Sequence, residues 1–282
     1  MQRPGRLDGR TCLIVGGTGG IGLASARRFL EEGARVVVAG QSPELGRAAL
    51  AQLSPLGPVW ECAFDLAAGE PEVARLFSSA LDALGGRLDV LLHVAGISGR
   101  KFGDGPLHEC TSAGWDRVMD VNASGVFLTN RAAVRLMLRQ PIDASGLRGT
   151  VVNVGSVLDR APAPEHFGTI AYAASKGAVR SLTRAAAAMY APKRIRFNLL
   201  TPGLIDTPMA ARAVNDPVIR PYVAARQPIA GGPGSAEDVA EAALYLCEPA
   251  SRFVAGAELV IDGGWCVSEG GRPEAIPIEA GS

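Results

Sequence analysis

The sequence predicts an α/β fold: one domain built on a doubly wound, seven-stranded parallel sheet with helices on both faces. Three observations predict it. Short β-branched runs alternate with longer Ala-, Leu- and Arg-rich segments. The short runs are almost continuously apolar, as strands covered on both faces must be. The first run passes through a glycine-rich turn into an amphipathic segment, the opening of a strand–helix unit. The chain has 282 residues, 48% hydrophobic and 20% charged, enough to bury a sizeable core and unlike a disordered chain.

The predicted strands are TCLIV (11–15), RVVVA (35–39), VWECAF (59–64), LDVLLHV (88–94), TVVNV (150–154), IRFNLL (195–200) and AELVI (257–261). Helical spacing marks 21–33, where Ile21, Ala24, Phe29 and Leu30 share a broad face opposite the charges. It also marks 71–84, 115–138, 172–190 and 236–248. Insertions rich in Gly, Pro and polar residues fall at 97–110, 139–149, 157–170 and 206–234. Residues 1–269 are expected to form a single domain, with 270–282 a tail that is either mobile or docked on a neighbour.

The net charge is zero, so no sequence-wide field attracts nucleic acid or a membrane. The apolar run at 11–15 is too short for a signal-peptide core, and no stretch is long enough to span a bilayer, so a cytoplasmic protein is expected. The five Cys, at 12, 62, 110, 247 and 266, show no metal-ligand spacing and read as reduced thiols.

The chemistry begins at VGGTGGIG (15–22), where Gly16, Gly20 and Gly22 lie between a strand and an amphipathic helix. Glycines there permit positive φ and let backbone approach a pyrophosphate at the helix N-terminus. At the end of the second strand, an acid would bind a ribose 2′-hydroxyl and repel a 2′-phosphate. Gly40 stands in that place, followed by Gln41 and Ser42, with Arg47 in reach if a helix starts near Pro43. Losing the carboxylate favours NADP(H), with NAD(H) possible. Asp65, after the third strand, suits either a hydrogen bond to the adenine amine or a helix cap.

Tyr172 and Lys176 in YAASK are four positions apart, on one helical face. A free phenol has a pKa of about 10, too high for an efficient base at neutral pH, and a neighbouring ammonium favours the phenolate. Ser156, in VVNVGS, follows a strand's C-terminal end, where ligands bind in open α/β sheets.

With HVAG (93–96), VNASGVF (121–127), TPGLIDTPM (201–209) and VAGAELVIDGGW (254–265), these motifs closely resemble the short-chain dehydrogenase/reductase family over about residues 8 to 266. The classical type is the nearest match, with similarity to 3-oxoacyl-[acyl-carrier-protein] reductase-like members. The resemblance implies a Rossmann-type fold and an NAD(P)(H)-dependent oxidoreductase that interconverts ketone and secondary alcohol. Tyr172 is then the general acid/base. Lys176 lowers its pKa and binds the nicotinamide ribose, Ser156 orients the substrate oxygen, and Asn122 holds a water that links Lys176 to solvent. The implied cofactor surface comprises Gly16, Thr18, Gly19, Gly20, Ile21, Gly22, Gln41, Ser42, Asp65, Leu66, Val94, Ala95, Gly96, Pro202, Gly203, Ile205 and Thr207, with Tyr172 and Lys176. Leu158, His166, Phe167, Leu204 and Met209 are expected to line a fairly apolar substrate pocket.

Three departures stand out. His93 and Val94 replace two Asn of the family motif, and His93 reads as a hydrogen-bonded packing residue. Ser156 and Tyr172 are 16 positions apart, longer than is common, so the intervening loop is expected over the pocket. Val15 stands where a Thr is usual.

A 3-oxoacyl reductase is the first expectation, with a secondary-alcohol, steroid or sugar dehydrogenase as the alternative. A catalytically silent nucleotide-binding regulator on the same fold is the alternative of another class. Arg131, Arg135 and Arg139 are spaced as a helical stripe that would suit an acidic acyl carrier protein, and equally a solvated or subunit-facing surface. The Ala-rich helix at 172–190 is apolar around much of its girth, which fits a homodimer or homotetramer.

Overall fold

All seven apolar runs form strands, and every strand pair is parallel. The strands are β1 (Thr11–Val15), β2 (Arg35–Gly40), β3 (Val59–Ala63), β4 (Val90–His93), β5 (Gly149–Val154), β6 (Ile195–Pro202) and β7 (Glu258–Ile261). The computed structural model describes residues 4–269. The expected tail at 270–282 lies outside the described residues.

The sheet order is β3-β2-β1-β4-β5-β6-β7. The chain reverses direction across the sheet between β1 and β4, and this opens a crevice beyond their C-terminal ends. Register pairs Val15 with Ala39 on one side and with His93 on the other. The glycine turn after β1 and the Val94–Gly96 segment after β4 therefore leave the sheet side by side.

Among the described residues the α-helices are α1 (Gly20–Glu31), α2 (Pro43–Leu53), α3 (Glu70–Leu84), α4 (Ser112–Met119), α5 (Gly125–Met137), α6 (Pro164–Phe167), α7 (Ile170–Tyr190), α8 (Ala211–Asn215), α9 (Ile219–Arg226) and α10 (Ala236–Cys247). Strand residues alternate between two cores. Cys12, Ile14, Val36, Val38, Leu92 and Val152 pack with Phe29 and Leu30 of α1, Leu53 of α2 and Leu244 of α10. Leu13, Val15, Val37, Leu91, Val151 and Phe197 pack with Leu76 and Phe77 of α3, Met137 of α5 and Ala187 of α7. Each strand is thus buried on both faces, the reason its sequence is continuously apolar. Cys12, Cys62 and Cys247 are buried, and burial raises each thiol pKa, so these read as packing residues.

The helix ends carry their own signals. Ser42 caps α2 by accepting from the Leu45 N–H, with Pro43 at the first helical position. Ser235 and Asp238 form a reciprocal capping box on α10. Among the described residues, no helix is long and apolar enough to cross a membrane.

Two expectations change. The single helix at 115–138 is three pieces, because a π-helical turn at Asp120–Ser124 separates α4 from α5. The wider turn rotates Asn122 inward, where it is fully buried and hydrogen-bonded. The insertions at 157–170 and 206–234 are not plain loops; they carry α6, α8 and α9 and form a small apolar cluster of their own with Trp265.

Candidate active site

The glycine turn is built for close backbone approach. Gly16 has φ +85°, and a Cβ there would meet the Ala95 backbone nitrogen at 2.6 Å. A methyl on Gly22 would run into the Gly16 carbonyl, so only glycine lets α1 start where it does. Gly19 faces open space, no side chain caps α1, and its first turn has no acid. That leaves outward-pointing N–H groups and a positive dipole end, the donor set an anionic pyrophosphate fits. Thr207 packs over Gly20, with its methyl 3.1 Å from where a Cβ would sit. The glycine loop and the segment after β6 therefore close on the same crevice. Pro202 ends β6, and Gly203 and Ile205 follow it into this rim.

At the end of β2, the Thr18 side chain fills the place a Cβ on Gly40 would take. An acid is absent there from the sequence, and any side chain would have to displace Thr18. Helix α2 does begin at Pro43, which places Ser42 and Gln41 at its N-terminus. Asp65 accepts from the Ala67 N–H at 3.0 Å, the capping role. Leu66 is buried against the bare face of Gly125, so its side chain serves packing. Ile21 and Val94 pack against the α1-side core, leaving backbone as what they offer a ligand.

Asn122 from the π-turn, Ser156 from the end of β5, and Tyr172 and Lys176 from α7 converge from three elements. Asn122 Nδ2 donates to the Ile97 carbonyl at 3.0 Å, and its Oδ1 accepts the Ile97 N–H at 2.8 Å. The same Nδ2 donates to Ser175 Oγ at 3.1 Å, and Ser175 donates to the Tyr172 carbonyl at 2.7 Å. Lys176 Nζ donates to the Val154 carbonyl at 2.9 Å and lies 5.7 Å from the centre of the Tyr172 ring. Ser156 Oγ accepts from the Leu158 N–H at 3.2 Å and acts on the Tyr172 phenol to lower its pKa. The empty Cβ position of Gly96 lies 3.1 Å from Asn122 Oδ1 and 3.5 Å from Lys176 Nζ. This glycine leaves a cradle beside the ammonium that a ribose can fill.

The electrostatics depart from the expectation for the Tyr–Lys pair. In the free protein the Tyr172 pKa is raised, first by burial and then by the Asp159 charge, with the Ser156 hydrogen bond acting the other way. The ammonium does not offset this. Lys176 itself is pushed down to about 8 by burial, which weakens the charge it can offer. Asp159, nearly buried, pairs with Arg180 at 2.5 Å, and Arg180 continues to Glu258 at 3.2 Å.

Two supports have no recognisable sequence signal. The Asp104 carboxylate accepts the Ala171 and Tyr172 N–H groups, each at 3.0 Å, and so caps α7 from a distant loop. The Asp159–Arg180 pair joins the post-Ser156 loop to α7. His93 is the packing residue expected: Nδ1 lies 2.8 Å from Thr129 Oγ1, whose own proton goes to backbone carbonyls of α5. Nδ1 therefore donates. Burial, then the nearby Lys176 charge, pushes the imidazole down to about 3.

Leu158, Phe167 and Leu204 join one apolar cluster with Trp265 and Tyr222, as expected of a pocket wall. His166 stacks edge-on to Tyr222 at 4.6 Å. Met209 is exposed outside that cluster. The Arg131–Arg135–Arg139 stripe is partly neutralised, since Arg131 pairs with Glu70 at 2.6 Å and Arg135 approaches the same carboxylate at 3.9 Å.

A glycine-turn crevice at the switch point of a parallel sheet, with a serine, a tyrosine and a lysine beside it, defines an oxidoreductase that uses a nicotinamide dinucleotide of the NAD(P) type. Comparison with known proteins agrees. The family model described as enoyl-(acyl carrier protein) reductase matches residues 16–266. The chain belongs to the short-chain dehydrogenase/reductase family. It is 39% identical over 259 residues to cis-4-hydroxycyclohexanecarboxylate dehydrogenase of Sinomonas cyclohexanicum, covering 91% of this chain and 96% of that one. It is 33% identical to cyclopentanol dehydrogenase of Comamonas sp. strain NCIMB 9872, covering 93% and 98%. Among solved structures it resembles a short-chain type dehydrogenase/reductase from Mycobacterium ulcerans, with TM-score 0.83 and 29% identity over 93% of this chain and 91% of that one.

The buried lysine carries a stability consequence. The folded protein releases the Lys176 proton near 8, whereas the unfolded chain keeps it to about 10.5. Charged Lys176 thus costs stability below pH 8, and the cost fades as pH rises to about 10.5. Lys176→Met is expected to raise Tm at pH 7 by about 2–4 °C, with the gain shrinking above pH 8. Thermal melts by circular dichroism check this; an unchanged Tm at pH 7 would mean the ammonium is well solvated.

Proposed function

We propose that the protein is an NAD(P)(H)-dependent dehydrogenase of cyclic secondary alcohols. The observation that carries the reading is the convergence of Ser156, Tyr172 and Lys176 beside the Gly96 cradle, under an apolar wall of Leu158, Phe167 and Leu204. Both named relatives act on ring alcohols by their names, which favours the dehydrogenase alternative over the 3-oxoacyl reductase expected first. The paired Arg131 weakens the case for an acyl carrier protein.

In this reading Ser156 Oγ orients the substrate oxygen, and Tyr172 Oη takes its proton on oxidation or returns it on reduction. Asn122 holds the tyrosine-bearing end of α7 against the loop after β4, and Lys176 holds it against the end of β5. Gly16 to Gly22 hold the pyrophosphate, Gly96 and Lys176 the nicotinamide ribose, and Pro202, Gly203, Ile205 and Thr207 the carboxamide end. When bound, the nicotinamide dinucleotide supplies the carbon that accepts or gives the hydride. Asn122, directly bonded to protein groups on both sides, serves first as a tether.

Tyr172→Phe is expected to lower kcat for cyclohexanol oxidation by about 10²–10⁴-fold with cofactor binding unchanged. An active variant would reject Tyr172 as the acid/base, and an inactive wild type across a ring-alcohol panel would favour the silent regulator. With its pKa raised, Tyr172 is protonated at neutral pH. Wild-type oxidation should therefore speed up as pH rises, and ketone reduction should slow.

We infer a preference for NADP(H), supported by Gly40 and by the α2 N-terminus at Ser42. Fluorescence titration should show NADPH binding about tenfold tighter than NADH, about 1.4 kcal/mol; the reverse order would mean another group holds the 2′-hydroxyl. Exposed Ala185, Ala188 and Met189 on α7 support a homodimer or homotetramer. Sedimentation velocity should show one of these, and a monomer at micromolar concentration would reject both.

A further inference from the structure

Two cations meet where nothing in the proposed reaction needs them. Arg100 lies in the loop after β4, and Arg212 lies in α8, after β6. Each donates from Nη2 to the same oxygen, the His166 carbonyl, at 3.0 Å. His166 belongs to the loop between Ser156 and Tyr172. The three segments that leave the C-terminal ends of β4, β5 and β6 are thus joined at one backbone oxygen. The two nitrogens lie no further apart than twice their bond to it.

Among the described residues neither guanidinium forms an ion pair. Asp104, the acid nearest in the loop, has both oxygens engaged by the α7 backbone. Like charges held together across a neutral carbonyl repel, and the Arg100 pKa is lowered by burial and then by Arg212, with the Asp104 charge acting the other way. A bound anion relieves that repulsion. Each guanidinium has five N–H donors and spends one on His166, so donors remain for a bidentate oxyanion. Arg212 also lies over the Phe167 ring at 6.0 Å, and Phe167 and Tyr222 each stand about 6 Å from Trp265. Arg212 therefore sits against the aromatic cluster that includes the expected pocket wall.

We propose that Arg100 and Arg212 form an oxyanion-recognition pair that selects ring alcohols carrying a carboxylate or sulfonate. This rests on the dehydrogenase reading above, and the experiment separates the two. Steady-state kinetics would compare 4-hydroxycyclohexanecarboxylate, 4-hydroxycyclohexanesulfonate and neutral cyclohexanol in the wild type, Arg100→Gln and Arg212→Gln. The variants should raise KM for the anionic alcohols at least tenfold, with kcat and the cyclohexanol values within about twofold. Loss of the carboxylate preference alone would assign the site to carboxylates, and loss of both to oxyanions in general. Equal losses on cyclohexanol would make the arginines loop supports, and unchanged KM values would reject the pair outright. Calorimetric titration with cyclohexanecarboxylate, which has no hydroxyl to oxidise, reads binding alone. If the wild type oxidises none of the alcohols but binds this probe through both arginines, the reaction assignment fails and the oxyanion site stands. If the probe does not bind the wild type, the oxyanion site fails.

Discussion

One buried carboxamide ties the site together. Asn122 bonds both backbone groups of Ile97 and reaches Ser175, which in turn holds the carbonyl of Tyr172. Through this side chain the loop after β4, the π-turn and helix α7 share one hydrogen-bond network. The wider π-turn is what swings the amide inward, and such turns inside helices frequently mark functional sites. Without that bond set, the Ile97 N–H and C=O would lose a partner each, and unpaired buried backbone groups are costly.

A second constraint is electrostatic. The site buries an ammonium, a phenol and, nearby, a carboxylate, each at a desolvation cost that raises or lowers its pKa. Arg180 offsets the Asp159 charge, and the Val154 carbonyl gives Lys176 a fixed partner. The result keeps Tyr172 protonated at neutral pH and Lys176 close to titration. The free protein is thus set nearer to acid than to base. A tyrosine and a lysine one turn apart do not by themselves make a phenolate; solvent exclusion at this depth outweighs their proximity.

The strands were legible because burial on both faces leaves a continuous apolar run, and their predicted limits agree with the structure to within two residues in every case. The glycine turn and YAASK were legible because their spacing reflects local backbone geometry. The π-turn was not, since DVNAS keeps helical periodicity on both sides and only the inward pull on Asn122 distinguishes it. Asp104 was hidden for another reason: it caps a helix 67 and 68 positions away, and nothing in its own loop marks it. That the Leu66 side chain packs on Gly125 was not legible, because the two are distant in sequence.

The sequence by itself determined the parallel α/β architecture and the glycine turn and marked Ser156, Tyr172 and Lys176 as candidates, because period, spacing and glycine geometry are local properties of the chain; Asn122 was marked only by the family resemblance. Tertiary structure alone decided which way the pKa values move and that the Thr18 side chain lies against Gly40. It also decided that Arg100 and Arg212 meet at His166. Each of these depends on burial or on contacts between segments far apart in sequence, and only the folded sheet brings those segments together.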